Sequence, residues 1–424
     1  MKTFSIYTLG CKVNTYESEF YRQSMKSAGY FEVLPKEASD VVIINTCTVT
    51  NAASFKSRQR IHQAKRYNPN ACVVVVGCYV QIAHEELKSK YDIDLLIGAS
   101  HKNELVELIE SKLKTTEYQF PPKFEALPIH SFDHQKKAYI KIQDGCNQFC
   151  AYCIIPYARG RERSLDETSI LNQINHFDLH QEIVLTGIHT GRYGKDIQTS
   201  LSHLLNRICL ETSIQRIRIS SIEITEIDQN LIQLIKQQKR IARHLHIPLQ
   251  AANDVTLKAM NRPYDLQQFR TKLEALRSEL PDLLISTDII VGFPGETQEQ
   301  FEASLVQLEY FEFSFINVFP YSKRAFTQAE NLPNQWSESI KKERVHRVQK
   351  ISDQINLSVL NSYVGKEVIV LVEQQQGIYL WGYTSEYLPA MLIGESTLIN
   401  TLIACKVKAV KGDQLIVEPV TYET

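Results

Sequence analysis

Apolar and polar positions along the chain change their pattern twice. In the first hundred residues four short apolar runs read as strands: Phe4–Thr8, Val41–Ile44, Val73–Val76 and Leu95–Ile97. Helical patterns fill the gaps, roughly Tyr16–Ala28, Ala52–Tyr67, Gln81–Lys90 and Asn103–Lys114. Strand–helix alternation with Val/Ile-rich strands predicts an α/β domain built on a small parallel sheet covered by helices. From about residue 135 the alternation resumes with Tyr139–Ile142, Glu182–Leu185, Ile214–Ile219, Leu245–Ile247, Leu284–Val291 and Ser314–Phe319. Six such units predict a partial (β/α)6 barrel whose loops at one rim form a site. Six strands rather than eight leave one side open, which suits a large substrate. After about residue 360 the runs are strands separated by Gly, Asp and Asn turns: Val364–Val372, Val407–Val410 and Leu415–Val417. They predict a small antiparallel β-barrel. The expected organisation is therefore 1-115, a linker at 116-134 containing Pro121, Pro122 and Pro128, a core at 135-360, and a terminal barrel at 361-424.

Composition narrows the class. At 424 residues, 43% hydrophobic and 22% charged, the chain reads as an ordinary soluble protein of two or three domains. The longest aliphatic run, around Val73–Val76, is far too short for a membrane span. Gly10-Cys11 arrives too early for a signal peptide, so a cytoplasmic location with reduced thiols is expected for its nine cysteines. Net charge is −1, so any nucleic-acid contact must come from local patches.

The cysteines fall into two sets. Cys146, Cys150 and Cys153 stand at C-x3-C-x2-C spacing just after the strand ending at Ile142, with Gly145 allowing a sharp exit. The loop thus lies at a strand's carboxyl end, where α/β proteins place ligand sites. Three close thiolates suit an iron–sulfur cluster with one iron left open. A zinc knuckle would need a fourth ligand, and His134 and His176 are the nearest histidines. Cys11, Cys47 and Cys78 each follow one of the first three strands, so their thiols can converge on one sheet edge although they are distant in sequence. Three separate core cysteines are the alternative. Cys72 opens its strand at the opposite end and reads as a small buried hydrophobe.

C-x3-C-x2-C ahead of a β/α barrel resembles the radical S-adenosylmethionine superfamily. Leu9-Gly10-Cys11-Lys12-Val13-Asn14, Asn45-Thr46-Cys47-Thr48-Val49-Thr50 and Gly77-Cys78 resemble the N-terminal domain of its methylthiotransferase family. The resemblance implies two [4Fe-4S] clusters, one on Cys146, Cys150 and Cys153 that cleaves S-adenosyl-L-methionine, and an auxiliary one on Cys11, Cys47 and Cys78 where the transferred sulfur sits. It also implies cofactor contacts at Thr186 and Gly187 (methionine amino group), Ser220, Ser221 and Glu223 (ribose), Gln250, Asp288, Val291 and Gly292 (adenine side), and Phe319. Each segment taken singly also reads as a capped turn. Ala251-Ala252 stand where the family has Ser-Gly, and Phe326-Thr327-Gln328-Ala329 where it has Gly-Thr-x-Ala. No acid–base pair stands out, which fits radical chemistry.

Arg159, Arg161 and Arg163 read equally as a solvated basic edge or as contacts to a cofactor carboxylate or substrate phosphate. The run Lys341–Lys350 reads as an exposed helix face, with RNA contact as the second reading. The last domain resembles the RNA-binding TRAM barrel, yet from Asn361 onward four lysines face seven acidic residues, a balance of −3. A patch of Lys406, Lys408 and Lys411, or stacking on Tyr379, Trp381 and Tyr383, would have to supply affinity, or the barrel binds RNA weakly. Within the family, Gly10–Ser18 and Ile154–Gly160 look most like the branch that acts on N6-threonylcarbamoyladenosine at position 37 of tRNA, next to the anticodon. The partners so implied are a tRNA anticodon stem-loop, a reducing protein such as flavodoxin or ferredoxin, and a sulfur donor. Sister branches act on isopentenyladenosine in tRNA or on a ribosomal-protein aspartate. A non-catalytic iron–sulfur protein for redox sensing or RNA binding is the alternative of another class.

Overall fold

The computed structural model describes residues 2–111, 119–132, 135–177 and 179–420. In the first domain β1 (Thr3–Thr8), α1 (Lys12–Ser27), β2 (Phe31–Glu32), β3 (Val41–Thr46), α2 (Asn51–Tyr67), β4 (Cys72–Gly77), α3 (Cys78–Lys90), β5 (Leu95–Ile97) and α4 (Leu105–Ser111) follow in order. The sheet is parallel throughout, in the order β2-β1-β3-β4-β5. The two-residue β2 is a strand the apolar pattern does not announce. The end of the helix predicted to reach Lys114 lies outside the described residues. β3 is buried along its whole length, because helices cover both faces of the sheet. Val42, Ile44, Val73 and Val75 pack on one face, while Ile43, Val74 and Val76 point to the other.

The central region runs β6 (Lys137–Lys141), β7 (Gln143–Asp144), α5 (Ile155–Arg159), β8 (Arg163–Ser164), α6 (Glu167–Asn175), β9 (Glu182–Thr186), α7 (Leu201–Glu211), β10 (Arg216–Ile219), α8 (Gln229–Gln237), β11 (His244–His246), α9 (Asp254–Ala259), α10 (Leu266–Glu279), β12 (Leu284–Val291), α11 (Gln298–Tyr310), β13 (Phe315–Pro320) and α12 (Glu338–Ser362). Six parallel strands pair as β10-β9-β6 and β11-β12-β13. Single bridges at Ile217–Ile241 and Ser221–His246 stitch the two halves into one curved sheet. This is the expected six-stranded partial barrel. The short antiparallel pair β7–β8 flanks the Cys146 loop and holds its two ends together.

The C-terminal strands β14 (Glu367–Gln376), β15 (Tyr379–Thr384), β16 (Pro389–Ile393), β17 (Leu402–Lys411) and β18 (Gln414–Pro419) close into a barrel in the order β14-β15-β16-β18-β17. It departs from the antiparallel expectation in one place, since β16 and β18 pair in parallel. Its apolar core is separate. The first sheet and the central barrel instead share one continuous core. The segment between them helps to fuse it: Leu127, Ile129 and Phe132 are buried, and the Tyr16 hydroxyl donates to the Leu127 carbonyl at 2.6 Å. Rather than a loose spacer, this stretch is a wedge.

The basic run on α12 is a solvated face only in part. Arg344 is 1% exposed, paired with Glu296 at 2.5 Å and set against the Trp336 and Phe301 rings. Lys341 is buried too, and Arg347 is paired with Glu302. The run divides by face: Arg344 reaches the buried Glu296, whereas Arg347 meets the exposed Glu302, and Lys342, His346 and Lys350 face solvent.

Candidate active site

Each cysteine of the first set sits just past a strand end, where chain direction reverses into a helix. Cys11 caps α1, Cys47 follows β3, and Cys78 opens α3 directly after β4. Gly10 makes their approach possible. Its φ is +106°, and a Cβ there would lie 2.8 Å from the Cys47 Cβ. Asn14, one turn into α1, ties the loops together. Its amide donates to the Leu9 carbonyl (2.7 Å) and the Thr46 carbonyl (3.0 Å), and its Oδ1 contacts Cys11 Sγ at 3.7 Å. The same Oδ1 accepts from Arg159 at 2.8 Å, while Arg159 Nε donates to Cys78 Sγ at 3.1 Å. Sequence separation of up to 67 residues within this set is thus closed by one asparagine, one glycine and one arginine. Cys72 lies at the opposite end of β4, half-buried, away from the set.

Arg159 belongs to a buried charge network that joins the first domain to the barrel. Glu17 on α1 accepts from Lys102 (2.8 Å), Lys141 (2.9 Å) and Arg159 (3.0 Å). Asp144 pairs with Lys141 (2.7 Å) and Arg159 (3.2 Å). Burial opposes ionisation of Glu17, but Arg159, Lys102 and Lys141 outweigh it and hold its carboxyl far below the usual range. Arg163 is buried and donates to the backbone carbonyls of Arg161 and Arg159. Neither Arg159 nor Arg163 is therefore a solvated edge. Arg161 remains exposed, over the Phe149 ring.

The second cysteine set lies on the loop between β7 and α5. Gly145, at φ +74°, starts it; a Cβ there would fall 1.9 Å from the Arg161 carbonyl oxygen. Cys146 Sγ accepts from the Gln148 amide at 3.3 Å and meets His189 Nδ1 at 3.4 Å. His189 is paired with Glu226 at 2.7 Å. Arg262 bridges Cys150 Sγ (3.4 Å) and the Glu223 carboxylate. Burial pushes the Cys153 thiol up to about 12 and Cys47 to about 11, and raises Cys150 and Cys78. Buried thiols of this kind ionise only beside a positive centre, which the irons of a cluster would supply; fixed N–H donors aimed at sulfur suit the same role. Among the described residues no three His, Cys, Asp or Glu side chains close on a single-ion site. His176 is engaged with the Asn172 carbonyl, and His134 lies outside the described residues, so the zinc-knuckle alternative gains nothing here.

Beside Cys11 opens a cavity of about 920 Å3, whose lining includes none of Cys47, Cys78, Cys146, Cys150 and Cys153. Cys11 and Lys12 line one side; Thr186, Gly187, Ser220, Asp288 and Phe319 line the barrel side; Tyr383, Glu386 and Tyr387 of the terminal barrel close the third. Ser220 bonds Thr190 at 2.9 Å, and Asp288 is held by Asn317 (2.9 Å) and His246 (3.1 Å). Ser221 also lies on this lining, whereas Glu223, Gln250, Val291 and Gly292 lie off it. Glu223 stands behind the Cys150 loop, Val291 is buried, and Gln250 takes a left-handed turn at φ +71° with its N–H on the Asp288 carbonyl. What Gly292 meets in the protein is Lys341 Cγ, 2.7 Å from where a Cβ would be.

Two family models match the chain: one described as Uncharacterized protein family UPF0004 over residues 3–98, and the Radical SAM superfamily over 140–308. The Threonylcarbamoyladenosine tRNA methylthiotransferase MtaB of Bacillus subtilis is 36% identical, over 96% of this chain and 94% of its own length. The chain belongs to the radical S-adenosylmethionine methylthiotransferase family. A protein of the same printed name from Aquifex aeolicus is 35% identical over 89% of the chain and 94% of its own. The tRNA-2-methylthio-N(6)-dimethylallyladenosine synthase of Thermoanaerobacter pseudethanolicus is 33% identical over 96% and 91%. In fold the chain is similar to the radical S-adenosylmethionine methyltransferase TsrM of Kitasatospora setae, with a TM-score of 0.58 at 14% identity, covering 78% of this chain and 77% of that one.

For a methylthiotransferase the decisive feature is that one cavity wall carries Cys11 and another the barrel rim. The reading as a non-catalytic iron–sulfur protein falls with family membership. Sequence reasoning missed Glu17, Asn14, Lys102, Lys141, Asp144, His189, Glu226 and Arg262. A signal existed for Asn14 and Glu17: they are interleaved on α1 with the core residues Val13, Tyr16 and Tyr21.

Proposed function

We propose that this enzyme converts N6-threonylcarbamoyladenosine next to the tRNA anticodon to its 2-methylthio derivative. The observation that carries the reading is the single cavity shared by Cys11, the barrel rim and the terminal barrel. The chemistry supplied by two bound [4Fe-4S] clusters and S-adenosylmethionine is reductive cleavage to a 5′-deoxyadenosyl radical at one site and a held sulfur at the other. The chain's own residues do the placing. Cys146, Cys150 and Cys153 would hold the cluster that meets S-adenosylmethionine, and Cys11, Cys47 and Cys78 the auxiliary one. Thr186, Gly187, Ser220 and Asp288 would orient the cofactor along the wall they line, with Gln250, Val291 and Gly292 shaping the backbone behind it. Phe319, 44% exposed at the end of β13, offers a ring at the mouth. The reaction replaces one C–H hydrogen of the base by a methylthio group, and the wall of Tyr383 and Tyr387 keeps water out. A flavodoxin- or ferredoxin-like reductant and a sulfur donor complete the requirements. No described helix is long and apolar enough to cross a membrane.

The dimethylallyl branch is the second reading, because a relative of that printed name matches across 96% of the chain. Mass spectrometry of tRNA nucleosides from cells with and without the gene separates them. Loss of 2-methylthio-N6-threonylcarbamoyladenosine with accumulation of its precursor is the expected result. Loss of the isopentenyl counterpart moves the branch, and an unchanged profile refutes a tRNA substrate. An anaerobic assay that yields no 5′-deoxyadenosine from reduced, cluster-loaded protein would refute the radical chemistry.

A further inference from the structure

Helix α2 carries five Lys or Arg residues and one His in 17 residues, with no Asp or Glu. Lys65 is neutralised by Asp94 at 3.0 Å and Asp92 at 3.4 Å. The other four are not consumed in this way. Lys56 and Arg66 are exposed. Arg58 donates to the Tyr79 hydroxyl (2.9 Å), and Arg60 to Gln63 (2.6 Å) while lying over the Tyr7 ring. Among the described residues none of these four pairs with a carboxylate. On α12, Lys341, Arg344 and Arg347 each have one, while Lys342 and Lys350 are exposed.

Aromatic surface is interleaved with this charge. Phe55 is 60% and Tyr67 48% exposed. A groove of about 330 Å3 runs along the helix between Phe55, Arg58, His62, Arg66 and Tyr91. The helix is also anchored at the reaction centre. It begins four residues after Cys47, the Asn51 N–H donates to Ser322 Oγ at 2.9 Å, and Arg324 donates to Asn51 and Thr48. Ser322 stands two residues beyond β13, the strand that carries Phe319 into the cavity. From there α2 extends outward for about 25 Å at 1.5 Å per residue.

We infer that α2 is a docking ridge for the phosphate backbone of the substrate RNA, with its groove receiving an unpaired base. The inference rests on the tRNA reading above. Unpaired cations track phosphates, and aromatic rings among them take the exposed bases of a single-stranded loop. An acidic reductase also favours cations, but it would have to approach the Cys146 loop, whereas α2 starts beside Cys47. The ridge supplies the cations that the acidic terminal barrel lacks, where even Lys408 is paired with Glu418.

The test compares the full, cluster-loaded chain with the triple variant Lys56→Gln/Arg60→Gln/Arg66→Gln. The control is Lys88→Gln/Lys239→Gln/Lys272→Gln, exposed lysines outside α2. Fluorescence anisotropy with a labelled anticodon stem-loop is measured across a salt series. At about 0.7 per single-strand phosphate contact, the log–log salt slope of the triple variant should fall by about two, and its affinity about fiftyfold at about 0.15 M salt. The control keeps the parent slope. Melting temperature and iron content verify folding. Lys56→Gln and Arg66→Gln taken singly, each lowering the slope by about 0.7, serve where the triple variant does not fold. An unchanged slope in the variants overturns the inference, as does a wild-type chain with no salt-dependent affinity for the RNA. Unchanged RNA binding with impaired reduction by flavodoxin also overturns it, in favour of an acidic protein partner. The tRNA reading is judged separately, by the nucleoside profile of cells carrying the wild-type gene.

Discussion

Substituting Glu17→Gln removes one charge and almost no volume, at a point where two domains meet. Glu17 is fully buried, as are Lys141 and Arg159 to within 2% exposure. The site holds three cations and two carboxylates, all within 2.7–3.2 Å of a partner. After substitution three cations share Asp144 alone, in a place water does not reach. Breaking a buried ion pair from one side costs about 3–5 kcal/mol, out of a net stability of about 5–15 kcal/mol for a typical protein. At about 2–4 °C per kcal/mol for larger domains, the first melting transition should fall by about 6 °C or more. Because Glu17 and Lys102 belong to the first domain and Lys141, Asp144 and Arg159 to the barrel, the loss should appear as earlier release of one from the other.

The pH dependence has a definite sign. Burial works against the Glu17 carboxylate, but the three cations hold its folded-state pKa far below the unfolded value of about 4.3. A depressed carboxylate contributes its full stability above the unfolded pKa and loses it as pH falls through the folded one. The gap between wild type and variant should therefore be constant from about pH 5 to 8 and close only as the pH drops below about 4. Differential scanning calorimetry under anaerobic conditions measures both. Glu302→Gln, which breaks the exposed pair with Arg347, should leave melting unchanged within scatter. A Glu17→Gln shift under 2 °C at neutral pH, or a gap that widens on acidification, would refute the network as a structural joint.

Gly10→Ala meets both a left-handed φ and the Cys47 side chain at 2.8 Å, so iron per chain should drop by half. In a Cys146→Ala/Cys150→Ala/Cys153→Ala background the same change should leave no iron signal by electron paramagnetic resonance; a persisting signal there contradicts it. Arg159→Lys loses the Nε donor to Cys78, so redox titration of that background should show the remaining cluster becoming harder to reduce. Arg218→Ala removes bonds to the Thr384 and Ser385 carbonyls, and leaves Glu182 to Arg216. Hydrogen exchange over 379–390 should speed up while β14 and β17 keep their protection; uniform change across the barrel argues against local undocking.

The strand-end cysteines could be read from sequence because parallel α/β topology sends every strand's carboxyl end to one edge. Position along the chain was then enough to bring Cys11, Cys47 and Cys78 together. The six barrel strands were legible from short apolar periodicity: β9 as an apolar run, β10 and β11 as alternation of apolar with charged or histidine positions. The charge network was not. Glu17 finds its partners 85, 124 and 142 residues away, and no local pattern separates a buried carboxylate from a solvated one. Arg159 and Arg163 read equally as a solvated edge or a ligand contact, because the partners that bury them (Glu17 on the first domain, Asp144, and backbone carbonyls) leave no local pattern. Arg344 misled in the same way, since Glu296 and the rings that cover it stand outside its helix.

The acidic balance of the terminal barrel takes on a different meaning once its docking is seen. Lys137 pairs with Glu373 at 2.6 Å and lies over the Tyr383 ring at 4.3 Å. Arg216 donates to the Ile369 carbonyl, and Arg218 to those of Thr384 and Ser385. Tyr387 stacks on Tyr383 and on His244 of β11. The β6 and β10 strands thus offer cations that the barrel answers with a carboxylate, carbonyls and aromatic faces. Tyr383, a candidate for stacking on bases, is instead engaged with the core, and its segment is what closes the cavity. A barrel used in this way needs little positive charge of its own. Its acidic surface becomes compatible with an RNA-directed enzyme provided that the cations reaching the backbone lie elsewhere. Beside the Cys47 loop, α2 presents four that pair directly with no described carboxylate.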